Sequence, residues 1–165
     1  MYNGIEMAKD FQVNTVYAWE NRRFLRKNMP EMSKEDCTAL VADVCKCYGL
    51  PMIDMHFEDG YQSVKKGGFY SPYSSSITLY RAARNRPYIF HEVAHHIHHK
   101  LGTDGISHGK EFFGILAYLL SEYMSIPLYE IFHKAERDGV QFERYTFPRF
   151  KEGMTPDAQF VKRYS

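Results

Sequence analysis

Apolar residues recur at helical spacing over several stretches of this chain. Cys37, Leu40, Val41, Val44 and Tyr48 fall on one face of a predicted helix. Ser33 suits its N-cap and Asp36 its first turn; Gly49 ends it and Pro51 prevents its resumption. A further helix is predicted over 87–101. Phe90, Val93, Ala94, Ile97 and Leu101 form its apolar flanks, and Pro87 occupies the first turn, where its missing N–H is no loss. The next begins near Lys110 and carries Phe112, Ile115, Leu116, Leu119, Leu120 and Tyr123 on one side. Pro127 interrupts that pattern, and 128–138 form another helix closed by Gly139. Residues 14–27 also have helical character and hold the sole tryptophan, Trp19. Between the helices, 52–57, 61–65 and 76–80 read as strands. Asp59-Gly60 turns the chain between the first two, and Gly67-Gly68 breaks the second.

A length of 165 residues fits one domain able to bury a core without staples. That domain is expected over 1–140, with its core at about 33–126. Residues 141–165 form an aromatic and charged tail, either packed on the domain or partly mobile. The net charge of +1 advertises no polyanionic partner. The basic runs at 22–27, Lys65-Lys66 and Arg81, Arg84 and Arg86 read as solvated faces. Cys37, Cys45 and Cys47 lie in one helix with neither C-x-x-C nor zinc-knuckle spacing, so they read as thiols in a reducing, cytoplasmic setting. No membrane span and no signal peptide is expected.

The chemistry lies at His91-Glu92-Val93-Ala94-His95, an H-E-x-x-H sequence within a predicted helix. Residues four apart share a helix face, so His91 and His95 can aim two imidazoles at one Zn2+. Glu92 follows the first histidine and can act as general base toward an attacking water. A third ligand is needed. His98 lies about 10 Å along the helix axis from His91, too far to converge, and His99 fails likewise. His108 is favoured, because the glycines of the 102–107 loop let the chain turn back. Glu111 and Glu122 remain alternatives. Tyr70, Tyr73 and Tyr118 are unranked candidates for stabilising an oxyanion.

The order of these parts resembles the SprT-like zincins, the family that includes the Spartan proteases. The matching pieces are Gly68-Phe69-Tyr70, Ile77-Thr78-Leu79, the H-E-x-x-H run and His108-Gly109-Lys110-Glu111-Phe112. The resemblance implies a zincin-like α+β fold. In it a small mixed or antiparallel sheet of about three strands packs against the H-E-x-x-H helix and further helices. It implies a zinc metalloendopeptidase with His91, His95 and His108 as metal ligands and Glu92 as base, acting on a protein or peptide substrate. It also implies that the strand before the metal helix, 76–80, forms the cleft edge for an extended peptide. Spartan-type members cut proteins crosslinked to DNA, which makes DNA a candidate partner. No cysteine follows Cys47, so the paired-cysteine ribbon of many relatives is not expected. A metzincin would need Gly and His where this chain has His98 and Leu101. The competing readings are a glutamate-ligand regulator protease, a non-catalytic zinc-stabilised module closed by Asp104 or Glu111, and a DNA-associated structural protein. The sequence does not address oligomeric state.

Overall fold

The helices follow the apolar spacing. α1 (Val13–Glu20) passes into a π-helical turn at Asn21–Leu25. α2 (Lys34–Cys47), α3 (Arg86–Leu101), α4 (Lys110–Met124) and α5 (Leu128–Arg137) follow. The strands are β1 (Asp54–Glu58), β2 (Gly68–Ser71) and β3 (Ser76–Tyr80). The computed structural model describes residues 10–25, 29–64 and 66–144; the remaining residues of the expected tail, 145–165, and the end of the expected first helix at 26–27 lie outside them. Ser33 caps α2 by accepting the Asp36 N–H at 3.0 Å, and Asn85 caps α3 by accepting that of Tyr88 at 3.3 Å. Each cap contributes about 1 kcal/mol.

The architecture is α+β, with a mixed sheet in the order β1-β3-β2. β1 runs parallel to β3, and β2 runs antiparallel to it. Two expectations need correction. The segment after Gly60 is a 3-10 helix, Tyr61–Val64, and not a strand. There the Ser63 N–H returns to the Gly60 carbonyl at 2.8 Å, and Ser63 is buried while Tyr61 and Val64 stand exposed. No sheet face uses that burial pattern. The strand forms instead at Gly68–Ser71, where the two backbones approach closely. A Cβ on Gly68 would lie 2.8 Å from the Thr78 carbonyl oxygen. The second correction concerns the cleft. β3 is the central strand, paired on both sides, with Ile77 and Leu79 fully buried. The edge strand packed along α3 is β2.

One apolar cluster joins α1, α2, β3, α3, α4 and α5. Trp19 lies edge-on against Phe113, with ring centroids 5.0 Å apart. Cys37, Cys45 and Cys47 are buried free thiols in this core, and burial pushes Cys37 and Cys45 up to about 11. Arg22 and Arg23 share Asp138, Arg81 pairs with Glu31, and Arg84 pairs with Asp59, so each of these four arginines has an acidic partner. Among the described residues, no helix is long and apolar enough to cross a membrane.

After α5 the chain forms a strap over the molecule. Val140 is buried, and Phe142 stacks on Phe132 at 4.5 Å. The Gln141 N–H donates to the Gln12 side-chain oxygen at 2.8 Å, and the Gln12 amide donates back to the Gln141 carbonyl at 2.9 Å. The Glu143 N–H donates to the Lys110 carbonyl, and the Tyr118 hydroxyl to the Arg144 carbonyl. The strap therefore fastens the segment before α1 to the start of α4. It presses on Gly114, where an added Cβ would lie 2.4 Å from the Glu143 carbonyl oxygen. Gly114→Ala is expected to cost about 1–3 kcal/mol in denaturant unfolding, because the backbone has to shift. Wild-type stability in that variant would contradict the strap's seating.

Candidate metal centre

His91 and His95 sit one turn apart on α3, and their Nε2 atoms are 3.2 Å apart. The loop after Leu101 brings in His108, whose Nε2 is 3.3 Å from that of His91. All three ligand atoms lie within 4.8 Å of one another, so this cluster could hold a metal ion. Nitrogens bound to a tetrahedral zinc at 2.0–2.1 Å are about 3.3–3.4 Å apart, close to the spacing found. The outer nitrogens fit as well. His91 Nδ1 is 2.9 Å from both carboxylate oxygens of Glu20, and His108 Nδ1 is 3.0 Å from Asp10 Oδ2. Each carboxylate accepts a hydrogen bond from an Nδ1–H and so turns the ring's Nε2 toward the common point, the orientation in which it ligates a metal.

The titration behaviour agrees. Burial pulls His91 down, but the charge and hydrogen bond of Glu20 outweigh it, with help from Glu92 and Asp10, and its pKa rises to about 9. Burial, with the positive charges of His91 and His108, holds His95 well below the usual histidine range. Burial also lowers His108, against the hydrogen bond that it donates to Asp10. Without a metal the cluster therefore concentrates its positive charge on one ring. A bound cation would supply that charge at the centre instead.

Phe112 of α4 backs the cluster. It stacks on His95 at 4.4 Å and meets His91 and His108 edge-on. Tyr17 covers the other side, stacked on His91 at 5.3 Å and tilted against His108 at 5.2 Å. Burial and the charges of Glu92, Glu20 and Asp10 push its phenol up to about 12. Sequence reasoning missed Asp10, Tyr17 and Glu20. The one legible signal was Glu20, a carboxylate on the same helix face as Val16. Both are buried in the structure.

Glu111 and Glu122 do not join the three histidines. Glu111 accepts the Thr103 N–H at 2.6 Å and the Thr103 hydroxyl at 2.9 Å, and stands 3.1 Å from His98 Nε2. Asp104 takes the same His98 nitrogen at 2.8 Å. His98, Asp104 and Glu111 also have metal-compatible spacing, but their polar atoms already meet one another and the loop backbone. They brace the loop that presents His108. Gly102 is part of this brace, since a Cβ there would lie 2.5 Å from Glu111 Oε1. Glu122, on α4, belongs to neither cluster, and burial raises its carboxyl to about 7.

Glu92 is buried at the wall of a cleft of about 470 Å³ that Tyr17, Gly68, Phe69, Tyr70 and His95 also line. Burial raises its carboxyl, while His91 and the Tyr70 backbone N–H pull it down. Of the tyrosines singled out from sequence, Tyr70 lies in the cleft. Its hydroxyl sits 3.1 Å from His96 Nδ1 and 3.0 Å from His99 Nδ1. His96 is buried, and burial lowers it to about 4; His99 is exposed. Tyr73 stands fully in solvent, and Tyr118 is engaged with the strap.

Replacing Glu20 or Asp10 with Ala is expected to weaken zinc binding about 10–100-fold. Competition with a chromophoric chelator measures it, and unchanged affinity would remove these carboxylates from the centre. Comparison with protein-family models, with curated proteins and with solved structures finds no match, so a functional reading rests on this geometry.

Proposed function

We propose that this chain is a zinc-dependent metalloendopeptidase of the SprT-like zincin type, with His91, His95 and His108 as ligands and Glu92 as general base. The observation that carries the reading is the convergence of three imidazole Nε2 atoms, one of them from His95, which lines a cleft together with the buried carboxylate of Glu92. Asp104 and Glu111 are committed to His98, which supports a three-ligand site with a position open for substrate or water over a site closed by a fourth side chain. The resemblance of the sequence motifs to SprT-like zincins supports the same reading.

Zinc in this site supplies Lewis acidity, polarising the scissile carbonyl and lowering the pKa of a water. Glu20 and Asp10 fix the ring orientations and tautomers of His91 and His108. Glu92 accepts one proton as the water oxygen bonds to the carbonyl carbon. It then passes that proton to the amide nitrogen as the C–N bond breaks, leaving a carboxylic acid and an amine. Phe112 and the buried histidine faces keep bulk water from the back of the centre.

The edge of β2 suits an extended substrate. Among the described residues β2 pairs with β3 on one side only, and Gly68, Phe69 and Tyr70 line the cleft beside Glu92. A peptide added along that edge by backbone hydrogen bonds would lie beside the base. Glu92→Gln is expected to retain zinc and lose at least about 100-fold in cleavage of an unstructured protein, the lower range for a proton-transfer group. Metal analysis and gel-based proteolysis read the two effects separately. Equal cleavage by both proteins sinks the general-base assignment. Running the assay with and without single-stranded DNA tests whether the substrate is DNA-associated.

A further inference from the structure

The proposed mechanism lacks a donor for the negative charge that develops on the substrate carbonyl oxygen. Two phenols line the cleft. The Tyr70 hydroxyl is already shared between His96 and His99, which form its hydrogen-bonded seat. Tyr17 differs. Its ring is fixed by stacking on His91 and by contact with His108, while 45% of the residue stays exposed. Among the described residues none is seen to hydrogen-bond to its hydroxyl, and Tyr17 lines the same cleft as Glu92 and His95. A ring held in place, half-exposed and beside the base has the form of a preorganised donor.

We propose that Tyr17 is a catalytic residue whose hydroxyl donates a hydrogen bond to the oxyanion of the tetrahedral adduct. The inference rests on the peptidase reading above and adds a residue to it. The hydroxyl keeps its proton throughout and is not consumed. Its position follows from α1, which Glu20 ties to His91 and which the Gln12–Gln141 pair ties to the strap. The same helix therefore orients one candidate ligand and supplies the donor. A donor aimed at charge that develops only during reaction acts on kcat more than on KM.

Packing alone would also explain a tyrosine stacked on His91. Tyr17→Phe separates the two roles, because it keeps the ring and removes the hydroxyl. Removal of one such donor costs about 10²–10³-fold in kcat. The expected result for Tyr17→Phe is a kcat loss in that range, with zinc affinity and KM close to wild type. A phosphinic peptide, which mimics the tetrahedral adduct, should bind the variant weaker by about the same factor in calorimetry. Tyr17→Leu removes the ring as well and is expected to weaken zinc binding in addition. Wild-type kcat and wild-type phosphinate affinity in Tyr17→Phe would overturn the donor role and leave the peptidase reading standing. A wild-type protein that binds zinc but neither cleaves protein nor binds the phosphinic peptide would overturn both.

Discussion

The convergence of three imidazole nitrogens at one point is the constraint on which the rest of the structure depends. His95 and His108 place their Nε2 atoms 3.2 and 3.3 Å from that of His91, and each of the three rings is held from behind. Glu20 holds His91, Asp10 holds His108, and Phe112 stacks on His95. Each support comes from a different element, so the geometry of the cluster requires correct seating of α1, the segment before it and α4. The His98–Asp104–Glu111 brace extends the dependence to the loop after α3. Interactions that are modest singly thus act together on one small cluster of atoms.

α3 shows how one helix serves several tasks. His91 and His95, four apart, face the cluster. Glu92, His96 and His99, spaced by helical turns, run along β2. His98 faces the loop. Val93, Ala94 and Ile97 enter the core. A histidine-rich run that reads as one stripe in sequence is thus divided: His91 and His95 face the candidate metal centre, His96 and His99 share the Tyr70 hydroxyl, and His98 meets the loop carboxylates.

Much of this was legible in the sequence because it is local. The four-residue spacing of His91 and His95, the cap at Ser33 and the apolar faces of α2 to α4 are all set by neighbours within a turn or two of helix. His108 was reachable because a short glycine-bearing loop can only turn back. The strand order was not legible. Alternation identifies β3 as a strand but carries no record of which neighbours pair with it, and so the edge role was assigned to the wrong strand. The 3-10 turn at Tyr61–Val64 was misread because its apolar residues pack on nothing. Asp10, Tyr17 and Glu20 escaped for a different reason. Their partners are 71 to 98 residues away along the chain, and no periodicity encodes a contact of that span.

The Gln12–Gln141 pair also sets an order of assembly. Asp10 reaches His108 from a segment fastened two residues later to the strap, and the strap is among the last of the described residues to be made. During synthesis the H-E-x-x-H helix emerges well before its fastening does. A candidate metal centre whose supports come from both ends of the described chain therefore has its full set of fastenings only once residue 141 has been made.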